Sequence, residues 1–251
     1  MKKVKVEEVK SNLTNRRSFL RISGLAIAGT GLVIAGCSND DDGGMMTDPP
    51  VDNQLPGVRN GVFDLGGGDA GILTYAYALE QLEADFYTRV VNGNNFGSVF
   101  SSEEQSVLTD LYRHEVVHRE FFRAALAGAL NDPDRVLPDL DFDYGGLDFG
   151  NRLQVLNTAK TLEDTGVAAY NGAGRYITTP DYLVIAGKIV SVEARHASAI
   201  RSLLNPGSAD FAGDDVIDAN GLDLAQMPSE ILAAVGSLGV VQTPFTAQFL
   251  P

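Results

Sequence analysis

The chain has one cysteine, three histidines and few basic residues: 19 Lys and Arg stand against 33 Asp and Glu in 251 residues, a net charge of −14. Each scarcity excludes something. With Cys37 alone, no intrachain disulfide can form and no thiolate metal site can be built. A chain this acidic is a poor partner for nucleic acid and does not adhere by charge to anionic lipid; it attracts cations. The apolar run near the N-terminus, Ile22 to Ala35, is too short and too rich in Gly for a transmembrane helix, which needs about 20 apolar residues.

That run has a telling setting. Lys2, Lys3, Lys5 and Lys10 precede it, then Arg16-Arg17-Ser18-Phe19-Leu20-Arg21, and it ends in Ile34-Ala35-Gly36-Cys37. A charged start, a short apolar run and small residues at its end describe an export signal over residues 1–36. Arg16 and Arg17 with the following Phe-Leu-Arg resemble a twin-arginine signal, and Ile-Ala-Gly-Cys resembles a lipoprotein cleavage box. The expectation is a bacterial cell-envelope protein, held to the membrane only by a lipid on Cys37. Losing the signal removes seven positive and two negative charges, so −14 becomes −19. Residues 37–68, with Asp40 to Asp42, Pro49, Pro50, Pro56 and Gly66 to Gly68, read as an acidic Gly/Pro-rich tether.

Beyond the tether the apolar residues recur with helical period. Asp69 to Val91 carries two adjacent apolar stripes, interrupted by Glu80 on one and Glu83 on the other. A second helix begins near Ser101, where Ser101 and Glu104 have capping-box spacing, and runs to about Leu130. On it Leu108, Leu111, Glu115, His118, Phe122 and Ala125 share a face, while Arg119 and Glu120 point to solvent. Residues 131–150 are rich in Pro, Gly and Asp and read as a long crossover. A third helix runs from about Asn151 to Gly174, with Leu156, Lys160, Glu163, Val167 and Tyr170 in one line. Gly166, beside Glu163, allows a close helix approach or leaves room near a site. The fourth starts with Thr179 as cap and Pro180 in the first turn, aligns Ile185, Ile189, Glu193, His196, Ile200 and Leu203, and stops at Asn205-Pro206. Residues 205–251 form an extension with one more short helix, Pro228 to about Leu238, expected to dock on the others.

Two of the three histidines sit in Glu-x-x-His pairs, Glu115/His118 and Glu193/His196. Residues three apart lie on one helix face, so each pair can grip a common ion. One such pair alone is most often a surface ion pair, and a lone Glu on an apolar stripe is most often a helix-edge residue. The order is what carries weight: Glu80, then Glu115 and His118, then Glu163, then Glu193 and His196. One Glu and one Glu-x-x-His, given twice, is the ligand set of bundles that hold two iron or manganese ions. Tyr87 and Tyr170 each follow a single Glu by seven residues, about two helical turns, so each shares its face.

The run Leu79-Glu80-Gln81-Leu82-Glu83-Ala84-Asp85-Phe86-Tyr87 resembles that of the ferritin-like proteins of bacteria and plants known as desiccation-related. The resemblance covers residues 69–204 and implies an all-α fold. That fold is a ferritin-like up-down four-helix bundle with one long crossover between helices 2 and 3, plus a short C-terminal helix. It implies Glu80 and Glu163 as single carboxylates, with Glu115, His118, Glu193 and His196 completing the set. Glu83 stays open as an extra ligand, because some relatives use one. Tyr87 and Tyr170 stand behind the ligands, steering the metals or only filling the core. His114 is expected either behind a ligand or simply exposed, with exposure favoured.

The implied cofactor is a pair of metal ions, iron preferred and manganese the alternative, with O2 or peroxide as co-reactant. The expected activity is that of an oxidoreductase, ferroxidase- or peroxidase-like with iron and catalase-like with manganese. The alternative is a structural, stress-protective or metal-sequestering envelope protein without turnover. A homo-oligomer is left open, but a ferritin cage is not expected, because the lipid tether and tail differ from those of cage subunits.

Overall fold

The structure, a computed structural model, describes residues 54–251. The export-signal reading, including Arg16, Arg17 and Cys37, and the first part of the tether fall outside those residues. Four long helices dominate: α1 (Gly68–Val91), α2 (Ser102–Leu130), α3 (Arg152–Gly174) and α4 (Pro180–Leu204). A shorter helix, α5 (Pro228–Leu238), follows in the C-terminal extension.

The helix ends follow local chemistry. At the start of α2 the Ser101 hydroxyl accepts from the Glu104 amide at 3.3 Å, and the Ser101 amide donates to the Glu104 carboxylate at 2.8 Å, so two orphan amides are satisfied together. Asn131 closes α2 in the left-handed region at φ 51°. The Asn151 side chain accepts from the amides of Leu153 and Gln154 and caps α3. Thr179 occupies the cap position of α4, but its side chain makes no cap bond. Its amide instead joins that of Thr178 on the Asp69 carboxylate, tying the α3–α4 corner to the start of α1.

Helix direction follows from cross-helix bonds. Tyr170 reaches Glu80 while Tyr87 reaches Glu163, so α1 and α3 run antiparallel. Short links make α1/α2 and α3/α4 antiparallel pairs, and the helix order is therefore up, down, down, up. The crossover between α2 and α3 must climb the whole bundle, which explains its length. It does so along α1: Arg135 donates to Pro56 O, Gln81 grips Pro138 O and the Leu140 amide, and Arg89 donates to Phe142 O. Its own Leu137 and Leu140 are buried.

A small sheet was not foreseen. The stretch 54–67, which by composition ends the tether, contains a hairpin of β1 (Gly57–Arg59) and β2 (Val62–Asp64), with Leu65 fully buried behind it. Strand β3 (Phe245–Thr246) adds in parallel to β2. The buried Asp64 carboxylate holds this corner together by accepting from the Thr246 hydroxyl and the amides of Gln248 and Gly66. The core is built mainly from the helices, with Phe63, Leu65, Phe100, Leu137 and Leu140 added from outside them. Helix α5 docks through Ile231 and Val235, and the extension crosses α3 where the Gln226 amide donates to Ala168 O.

Candidate metal centre

Glu80, Glu115, Glu163 and Glu193 are all fully buried, one from each long helix. They are joined by His196, 3% exposed, and by His118, whose side chain is 12% exposed. The six converge. His118 Nδ1 lies 2.9 Å from Glu193 Oε1, 3.4 Å from Glu80 Oε2 and 3.5 Å from Glu115 Oε2. His196 Nδ1 lies 2.8 Å from Glu115 Oε1, 3.3 Å from Glu193 Oε2 and 3.4 Å from Glu163 Oε2.

These approaches sort into two overlapping sets. Glu80, Glu115, His118 and Glu193 each offer one donor atom, and those atoms lie within 4.8 Å of one another; so do those of Glu115, Glu163, Glu193 and His196. Donors about 2.0–2.2 Å from a shared ion sit up to about 4.4 Å apart, so both sets are within about half an ångström of the span of a coordination shell. Glu115 and Glu193 belong to both. Glu80 with His118, and Glu163 with His196, stand at opposite ends.

Most of the converging atoms find no partner outside the cluster. Glu80 Oε2, both oxygens of Glu115, Glu163 Oε2, Glu193 Oε1 and His118 Nδ1 are buried and face only one another, in carboxylate–imidazole approaches of 2.8–3.5 Å. The outward oxygens, by contrast, are satisfied. The Tyr87 hydroxyl donates to Glu163 Oε1 at 2.5 Å, and the Tyr170 hydroxyl donates to Glu80 Oε1. Each tyrosine thus serves the glutamate of the other half of the chain, not the one whose helix face it shares. The carboxylates are oriented from behind and left bare in front.

The electrostatics are those of a site awaiting cations. Burial pushes the Glu80 carboxyl up to about 8 against the pull of His118, and burial does the same to Glu163 against His196. Burial also raises Glu115, but hydrogen bonding and charge from His118 and His196 outweigh it and hold Glu115 down to about 2. Burial lowers both imidazoles, yet the surrounding carboxylates override it and lift them far above the ordinary histidine range. The carboxylates therefore favour the charged form of both imidazoles.

Glu83 is a fifth buried glutamate beside the cluster, with Oε2 unpartnered, but it belongs to neither set. Burial and then the charges of Glu193 and Glu115 raise its carboxyl well above the usual range. It faces Gly166 of α3, where an added Cβ would come within 2.9 Å of Glu83 Oε1. The glycine leaves the room that its place beside Glu163 suggested. Lys160, aligned by period with the inner face of α3, turns outward to Asp215 at 3.2 Å.

His114 shows both features between which sequence could not decide. It is exposed, yet its Nδ1 lies 2.9 Å from His196 Nε2, with the rings nearly parallel at 13°. Burial, then the His196 and His118 charges, lower its pKa. The spacing of four residues from His118 placed it on roughly the same side of α2, but nothing in the sequence showed that α4 would bring His196 there.

A family model described as a ferritin-like domain matches residues 68–206. No curated protein matches the chain.

Proposed function

Since the chain belongs to the ferritin-like domain family, we propose that the buried cluster is a two-metal centre in which Glu80/His118 and Glu163/His196 are the end ligands and Glu115 and Glu193 the bridges. One observation carries the reading: four fully buried carboxylates, one from each long helix, converge with two imidazoles in a core where burying a charge costs several kcal/mol. Carboxylate and imidazole donors suit iron or manganese, with iron preferred. Such a pair, when bound, supplies electrons to O2 or peroxide.

The chain's own residues set the conditions for that chemistry. Tyr87 and Tyr170 fix the two end carboxylates by their outward oxygens, which leaves one oxygen of each free for an ion. Their hydroxyls stay protonated, because burial and the adjacent carboxylates raise them well above the usual range, so both remain donors. Apolar side chains around them exclude bulk water; Phe86, Phe122 and Leu108 are buried in the same core. The oxidoreductase reading is tested by loading metal-free protein with Fe(II) without air, then adding peroxide, or O2 together with excess Fe(II) as the electron source. Consumption with turnover supports it. Binding without consumption assigns the metals to stiffening the bundle or to storage.

The site of action proposed for the protein is the bacterial cell envelope, reached by export and lipid attachment at Cys37. Mass spectrometry of the native N-terminus tests it. A lipidated Cys37 is expected, with export blocked by replacing Arg16 and Arg17 with Lys; an intact Met1 start would contradict it.

A further inference from the structure

The centre is built from two similar halves, but two positions break the match. On α1, Glu83 stands three residues after Glu80; its counterpart after Glu163 is Gly166. On α2, His114 stands four residues before His118; its counterpart before His196 is Val192. The second difference reaches a candidate ligand directly. His114 contacts His196 and not the histidine of its own helix pair. Val192 has no side-chain acceptor with which to do the same for His118.

The tautomer follows from the geometry. His196 turns Nδ1 toward Glu115, Glu193 and Glu163, the side from which a ligand lone pair would be used. A neutral ring that ligates through Nδ1 carries its proton on Nε2, so Nε2–H donates and His114 Nδ1 accepts. A ligating histidine held by such an outer acceptor has its ring orientation fixed before the ion arrives, and once it gives up the Nδ1 proton it keeps the one on Nε2. His118 has no equivalent support from Val192.

We propose that His114 is a positioning residue that makes the two metal positions unequal: the Glu163/His196 position is the tighter one and fills first. The inference rests on the two-metal reading above. His114 acts only through His196 and need not touch a metal. Because it is exposed and lies on a continuous α2, its replacement leaves the fold alone.

The test is calorimetric titration of metal-free protein with Mn(II), without any activity assay. Wild-type protein should bind two ions in two resolvable steps. His114→Leu should weaken the tighter step by about 10- to 100-fold and leave the other unchanged, bringing the two together. His114→Asn, whose Oδ1 occupies the place of the imidazole Nδ1 as acceptor, should restore most of the loss. Position is assigned by combination. In Glu80→Gln protein, where only the Glu163/His196 position remains complete, His114→Leu should weaken binding by the same factor; in Glu163→Gln protein it should have no effect. Equal weakening of both steps, no weakening, or failure of Asn to rescue would overturn the inference while leaving a two-metal protein. No Mn(II) binding by wild type would overturn the metal reading and the inference with it.

Discussion

Glu115 and Glu193 each offer an oxygen to both candidate positions, so the protonation of their neighbours governs whether ions enter. In the metal-free state Glu80 and Glu163 titrate near 8 and both ligand imidazoles keep their protons. Groups whose folded pKa is raised stabilise the fold below their unfolded pKa, about 4.3 for Glu, and lose that contribution as pH rises through the folded value. The metal-free protein should therefore lose stability between about pH 4 and pH 8. Metal competes with those same protons, so binding should release them and tighten as pH rises. The gain in melting temperature on adding Mn(II) should be larger at pH 8.5 than at pH 6, as differential scanning calorimetry would show. An equal or smaller gain at pH 8.5 would mean that the carboxyls are already ionised. That the six side chains face inward and meet could be read from sequence, because Glu-x-x-His spacing and the apolar period of each helix are local properties. The exchange of tyrosines between halves could not, because it depends on α1 and α3 running antiparallel, which the crossover decides.

The helices themselves were legible because their ends carry local chemistry: the capping box at Ser101 and Glu104, the Asp132-Pro133 stop, Pro180 in the first turn of α4. The sheet was not, because strands of two or three residues give no periodic signal and β2 meets β3 across most of the chain. Its keystone is Asp64. Asp64→Ala removes the acceptor for Thr246, Gln248 and Gly66 and should cost about 2–3 kcal/mol, read as a lower denaturation midpoint. A change under half a kcal/mol would show that the corner contributes little. The extension makes a second test. A Cβ on Gly172 would stand 1.6 Å from Gln226 O, so Gly172→Ala should lift the extension from α3, cost about 1–3 kcal/mol and remove exchange protection from the Gln226 amide. Gly187, also helical but with open space around its would-be Cβ, should behave oppositely: Gly187→Ala should stabilise by about 0.5–1 kcal/mol. If both substitutions act alike, the close approach at Gly172 is not what holds the extension.

At the scale of the whole molecule, a net charge of −14 and the four fully buried glutamates of the cluster oppose compaction, and cations relieve both. Each ion that binds only the folded state adds about 2.7 kcal/mol at a concentration one hundred times its Kd. Metal loading should thus be the largest single contribution to stability. The most direct measurement is the number of tightly bound ions per chain, obtained by equilibrium titration of metal-free protein followed by elemental analysis. Wild type should hold two. Glu115→Ala, which removes a bridge shared by both positions, should lose tight binding at one position or both. Glu120→Ala, on the exposed face of the same helix, should still hold two. If wild type holds none, or if the Glu115 and Glu120 variants bind alike, the buried cluster is not a two-metal centre.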